Sequence, residues 1–149
     1  MWRLALKFDI MYPAELVKPM AQELINSGFK SLNNPEEVIQ ELSQNSGTAL
    51  LVVNSVCGCA AANARPGVRI SLQNQTKPEK LLTVFAGFDT AATAKAREFL
   101  LPYPPSSPCI ALFKDGKLVH MLERHHIEGR SAQMIADNLA NAYNMYCQN

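Results

Sequence analysis

The apolar positions change period several times along the chain, and each change marks an element. Between Tyr12 and Phe29, Leu16, Met20 and Leu24 recur at helical spacing, with Val17 and Ala21 one step off the stripe; this predicts a helix stopped by Gly28. Pro19 lies inside that stretch and is expected to bend or divide it. NNPEEVIQELSQNSG predicts a second helix, with Asn34 as its cap, Pro35 in the first turn, Glu36 and Glu37 at the positive end of the dipole, and Gly47 closing it. TALLVVN, residues 48–54, replaces the helical period with an unbroken, partly β-branched apolar run, the pattern of a strand buried on both faces. CGCAAANAR then predicts a short helix ended by Pro66, and GVRISLQNQTKPEK a polar connection. LLTVFAG, residues 81–87, is a second buried strand, and Asp89 or Thr90 caps a helix over AATAKAREFL. PYPPSSP reads as a rigid loop into a strand, CIALFK; Asp115-Gly116 is a hairpin signal, and KLVHMLERH the returning strand. SAQMIADNLANAYNMY predicts a last helix with Ile135, Leu139, Ala142 and Tyr146 on one stripe. Met20, Met121, Met134 and Met145 fall on apolar faces and are assigned to the core.

Strands alternating with helices imply parallel pairs in a central sheet, and the final hairpin adds antiparallel strands. Helices should cover both faces of this mixed sheet, making a single α/β sandwich domain. A length of 149 residues supports one sizeable core, and 48% hydrophobic with 18% charged residues is the balance of a globular protein. The net charge of +1 gives no overall bias toward nucleic acid or anionic membrane. No stretch approaches the ~20 apolar residues of a membrane helix. The start, MWRLALKFDIMYP, places charges at Arg3, Lys7 and Asp9 and has no long apolar stretch, so no signal peptide is expected and the expected compartment is the cytoplasm.

Four cysteines are too few for a disulfide scaffold, but two of them, Cys57 and Cys59, flank a single glycine just after a buried strand. Cys57 opens the following helix, where unsatisfied N–H groups point outward and negative charge is favoured. A thiolate there is stabilised below the free value of about 8.5, which makes Cys57 the expected nucleophile. In an ideal helix the side chains of Cys57 and Cys59 stand about 200° apart, so their sulfurs meet only if the turn unwinds. Gly58 makes that less costly, and the resulting disulfide should be strained and easily reduced. Such a pair suits an oxidant, an isomerase, or a thiol that accepts a small thiol and passes it on, with an outside thiol favoured for resolution. Two other readings stay open. The cysteines could be buried fillers, or they could bind Zn or Cu(I), although His120, His125, His126 and the remaining cysteines show no paired-ligand spacing. Asn54 and Ser55 either hydrogen-bond the thiolate or satisfy the turn backbone. Arg65 either adds positive potential or binds a substrate carboxylate, or it is a solvated arginine ahead of Pro66. ERHHIEGR reads as a binding edge, a proton relay or the polar end of a strand.

SSPCIALFKDGKLVHML resembles the thioredoxin-superfamily segment in which a cis-proline precedes a strand, a Lys-Asp-Gly turn and the last strand. Pro108 matches that proline. The resemblance implies a cis Ser107–Pro108 bond, a loop facing the active cysteines, and backbone beside the proline that holds an extended substrate. More narrowly, MYPAELVKPM, VNSVCGCAAANARP, TVFAGFDTAATAKAREF, PPSSPCIALFKDGKLVHMLERHHIEGRSA and the terminal YC resemble the bacilliredoxin family, from about residue 11 to 147. The first ten residues, with Trp2 and Phe8, are read as an extension outside it. The resemblance implies a thioredoxin-like three-layer α/β/α sandwich with a central mixed sheet over residues 11–149. It also implies a thiol–disulfide oxidoreductase that removes bacillithiol, or a similar small thiol, from mixed disulfides on client proteins. Cys57 would attack, and Cys59 or a free small thiol would resolve. Pro108, Ser107, Asn54 and Arg65 are the expected substrate-binding residues. No metal or organic cofactor is expected, the small thiol being a co-substrate, and neither nucleic acid nor membrane is an expected partner. The alternatives are a protein disulfide isomerase and a non-catalytic Cys-Gly-Cys module that binds metal or a client peptide. Cys109 is a core filler unless the proline loop brings it to Cys57, and Cys147 is assigned no role.

Overall fold

Helix α1 spans Ala14–Ile25 and passes through Pro19 without dividing. The proline sits on the exposed side of the helix. The buried side is carried by Leu24 of the expected stripe and by Val17 one step off it, and Leu16 is 41% exposed. These elements belong to a computed structural model that describes residues 11–148, and the extension expected over residues 1–10 lies outside it. A two-residue strand, β1 (Lys30–Ser31), leads to α2 (Pro35–Leu42). The Asn34 side chain accepts from Glu37 N at 2.9 Å, as the capping pattern predicts. That helix stops at Ser43 rather than at Gly47. Gly47, with φ +87°, turns the chain into the next strand, where its N–H donates to Asp115 Oδ1 at 2.9 Å.

Strand β2 (Thr48–Asn54) is buried at every position, as its unbroken apolar pattern requires. A π-helical stretch, Ala60–Ala64, follows and continues directly into α3 (Arg65–Ser71). Pro66 therefore lies within a continuous helical run instead of ending one, as the second residue of α3. Residues 67–71, about a third of the expected polar connection, are thus helical, with Gly67 and Val68 buried. Strand β3 (Lys80–Phe85), α4 (Thr90–Glu98), β4 (Cys109–Lys114) and β5 (Lys117–Leu122) follow in the predicted order. Asp115 (φ +52°) and Gly116 (φ +82°) supply the two left-handed residues of a tight hairpin turn between β4 and β5. The returning strand ends at Leu122, and the expected strand residues Arg124 and His125 instead open a short helix, α5 (Arg124–Ile127). Helix α6 (Ala132–Tyr146) is capped by Ser131 and buries Ile135, Ala136, Leu139, Ala142 and Tyr143.

The sheet order is β1-β3-β2-β4-β5, with β1, β3 and β2 parallel and β4 and β5 antiparallel. Alternate residues of the central strands feed two cores, one on each face. Leu50, Val52, Ile110 and Leu112 pack with α3 and α6 through Val68, Ile135 and Leu139. Leu51, Val53, Ala111 and Phe113 pack with α2 and α4 through Val38, Leu42, Ala92 and Ala96. Of the methionines assigned to the core, Met134 (54% exposed) and Met145 (68% exposed) lie on the outer side of α6. Among the described residues no helix is long and apolar enough to cross a membrane.

Candidate active site

β2 and β3 are parallel and β4 is antiparallel to β2, so the ends of β2 and β3 and the start of β4 share one edge of the sheet. The pairs Asn54–Phe85 and Val53–Cys109 fix that edge. Here the chain leaves β2 through Ser55 and Val56 and reaches Cys57, whose carbonyl accepts the first helical N–H groups, from Ala60 (3.1 Å) and Ala61 (3.2 Å). Cys57 is thus the last residue before the helix, facing its free N–H groups. Its half-buried Sγ accepts from Ser55 Oγ at 3.2 Å, and the Ser55 hydroxyl in turn accepts from Cys57 N at 3.4 Å.

Cys59 Sγ lies 2.7 Å from Cys57 Sγ. The separation expected from ideal helix geometry does not hold, because Cys57 precedes the first helical residue and the following turn is widened to a π-helix. The space around the missing Gly58 side chain is open. The two thiols are inequivalent. Burial opposes ionisation of Cys57, but hydrogen bonds from the Cys59 thiol, the Ser55 hydroxyl and the Ala60 N–H, together with the charge of Arg124, outweigh it and hold Cys57 below the ordinary thiol range. Burial, the hydrogen bond to Cys57 and the Cys57 charge push Cys59 up to about 11.

Arg124 was not singled out by its place in the sequence, where it looks like one more charge in a polar segment. It starts α5, directly after the Glu123 cap, and donates from Nη1 to Ser107 O at 3.0 Å. Its Nε also pairs with Glu128 Oε2 at 3.3 Å. The guanidinium therefore ties the proline loop to the thiol pair. The Ser107–Pro108 bond is cis, as the resemblance implies. Ser107 shares a cleft of about 310 Å³ with Cys57, Ser55, Tyr12, Arg97 and Arg124, whereas the Pro108 side chain is buried.

Asn54 and Arg65 lie beneath this cleft. Arg65 is 1% exposed; Nη1 donates to Asn54 Oδ1 and to Ser55 O, each at 2.9 Å, and Nε donates to Glu23 Oε1 at 3.1 Å. Asn54 Oδ1 also accepts from Ser55 N at 2.8 Å. The expectation that these two side chains bind substrate is therefore corrected. Both are buried and committed to holding the end of β2, which sets the position of Ser55 and through it Cys57. Cys109 is buried in β4, and burial drives its thiol up to about 12, consistent with a core filler. Cys147 is buried at the end of α6 rather than frayed. Within ERHHIEGR, Glu123, His125 and His126 bring ligand atoms within 4.8 Å of one another, but the Glu123 carboxylate and His126 Nδ1 already serve as reciprocal caps of α5.

The architecture coincides with that of solved thioredoxins. A thioredoxin from Halobacterium salinarum superposes with a TM-score of 0.56 at 16% identity, covering 83% of this chain and 94% of that one. Oxidised thioredoxin O1 from Arabidopsis thaliana gives 0.53 at 16% identity, covering 81% and 99%. With paired thiols at its strand-to-helix turn, this is a protein of thioredoxin-like fold. Within that class, a family model described as disulphide isomerase matches residues 12–147. A bacilliredoxin of Cytophaga hutchinsonii is 60% identical over 133 residues, spanning 89% of this chain and 98% of that protein. A bacilliredoxin of Halalkalibacterium halodurans is 50% identical over 137 residues, spanning 92% and 95%. The chain belongs to the bacilliredoxin family.

Proposed function

We propose that the protein removes bacillithiol, or a small thiol of similar kind, from mixed disulfides on client proteins. The observation that carries this is the inequivalence of two sulfurs 2.7 Å apart at the cleft: one held below the ordinary thiol range, the other pushed up to about 11 beside it. The Cys57 thiolate attacks the small-thiol sulfur of client–S–S–R. The client leaves as a thiolate and Cys57–S–S–R forms, with no net oxidation. Once Cys57 is capped, it no longer carries the charge that helped keep Cys59 protonated; burial and the Glu128 charge still oppose ionisation, and the Arg124 charge favours it. Cys59 thus becomes easier to ionise at the step that needs it. Its attack on Cys57 Sγ releases R–S⁻ and leaves the Cys57–Cys59 disulfide, which two further small thiols reduce while forming R–S–S–R. A free small thiol attacking the mixed disulfide directly is the parallel route. The chemistry uses only the protein's sulfurs and the co-substrate thiol. The sites of action are client proteins carrying such disulfides, in a reducing cytoplasm.

Mass spectrometry after mixing the reduced protein with a bacillithiol-modified client tests this. The Cys59→Ser variant should accumulate the adduct on Cys57 and turn over only when free small thiol is added. Cys57→Ser should form no adduct. Modification elsewhere, or a client left intact by the wild type, overturns the proposal. A glutathione-modified client run in parallel identifies which thiol is preferred.

A further inference from the structure

A second arginine reaches the cleft from the far end of α4. β3 ends and β4 begins at the edge that holds Cys57, so the connection through α4 leaves and returns there, and Arg97 occupies the last turn of α4. Arg97 lines the cleft with Cys57 and Arg124, and its Nε is buried without a hydrogen-bond partner among the described residues. Arg97 and Arg124 are the two basic residues of the cleft lining, and the group that a pair of guanidinium cations favours most strongly is an oxygen anion. None of the residues lining the cleft is acidic, and Glu128, which pairs with Arg124, stands outside the lining. The remaining walls, Tyr12, Ala86 and Gly87, are largely uncharged, and Gly87 leaves no room for a side chain against the Tyr12 ring. A volume of about 310 Å³ suits a small molecule lying beside the sulfur.

We propose that Arg97, together with Arg124, makes the cleft selective for small thiols that carry a carboxylate away from their sulfur. Arg97 is then the specificity residue, a cation in the cleft wall that draws this carboxylate. The inference rests on Cys57 being the attacking thiol and adds the charge class of its partner. In the step concerned, Cys57–S⁻ attacks R–S–S–R, forming Cys57–S–S–R and releasing R–S⁻. The carboxylate on R stays bound at Arg97 while the sulfur–sulfur bond is exchanged.

The test measures the rate at which reduced protein forms mixed disulfides with three small symmetrical disulfides of matched spacer: dithiodipropionate (anionic), bis(2-hydroxyethyl) disulfide (neutral) and cystamine (cationic). Each rate is divided by that of 2-mercaptoethanol with the same disulfide to remove intrinsic reactivity. The wild type should prefer the anionic over the neutral disulfide by about tenfold, the scale of one hydrogen bond between charged groups, and raised salt should shrink that ratio. Arg97→Gln should abolish most of the preference and Arg97→Lys should restore part of it. A ratio unchanged in Arg97→Gln, or a wild-type ratio near one, overturns the inference. Should a variant not fold, the wild-type ratio and its salt dependence decide. If Cys57 reacts with none of the three, the proposed function falls as well; if it reacts with all alike, only the selectivity is lost.

Discussion

The reactivity of Cys57 is set by four neighbours acting against burial, and two of them can be removed singly. Ser55 donates to the sulfur from the residue that leaves β2, and Arg124 acts through its charge from the start of α5. Both favour the deprotonated sulfur, so losing either raises the pH at which the thiolate forms. The reactive species is the thiolate, and reactivity is lost as the pH falls through that point. Ser55→Ala and Arg124→Gln should therefore each move the midpoint of iodoacetamide alkylation upward, toward the free-thiol value of about 8.5, and the double variant should move it further. Rates well above the midpoint should be little changed, since the sulfur is ionised in every case. A midpoint unmoved in both single variants would assign the depression to the helix N–H and Cys59 alone. Of these neighbours Ser55, Cys59 and the helix N–H groups were legible in the sequence, through their closeness to Cys57 along the chain. Arg124 and Arg97 gave no signal there, because a charged residue in a polar segment or a helix's last turn usually marks a solvated face.

At the scale of elements, the segment after the thiols departs most from what its residues suggest. Pro66 and the polar stretch beyond it read as a stop and a loop, yet α3 begins there and packs along α6. Gly67 makes that approach possible. A Cβ at this position would lie 2.7 Å from Ile135 Cγ2, 2.8 Å from Ile135 Cβ and 3.0 Å from the Ala132 carbonyl. Two of these are the branch point of a side chain and backbone, which cannot swing aside. Helix propensity alone would reward Gly67→Ala by about 1 kcal/mol. Overpacking should outweigh it and leave a net loss of about 1–2 kcal/mol, read from urea unfolding midpoints. An unchanged or higher midpoint would show that α3 and α6 can separate freely. No local pattern announces such a contact, since it depends on which helix arrives opposite the glycine. By contrast β2, β4 and the Asp115-Gly116 turn were legible almost to the residue, because runs of buried β-branched residues and a two-residue left-handed turn have few other structural solutions. β1 was not, as two residues carry no period.

Over the whole molecule, the alternation of buried strands with helices was enough to predict a sheet covered on both faces, and each face encloses an acidic group kept neutral. Tyr143 lies in one core, sharing a hydrogen bond of 2.9 Å with Ser71 Oγ, and burial raises its phenol above its usual range. Cys109 lies in the other, and burial moves its thiol from 9.0 up to about 12. For such groups the stabilising form is the protonated one. Below pH 9.0 both folded and unfolded chains keep the Cys109 proton and stability does not depend on it. Between 9.0 and about 12 the unfolded chain releases that proton while the folded chain holds it, so stability falls as the pH rises. One proton contributes about 1.4 kcal/mol per pH unit to that fall. Cys109→Ala lowers stability below pH 9.0 by leaving a small void, but it removes this slope. Urea unfolding of the two proteins across the alkaline range should therefore give curves that run parallel below 9.0 and converge above it. Curves that stay parallel throughout would mean that Cys109 ionises in the folded protein as readily as in the unfolded chain, and that water reaches the core behind the proline loop.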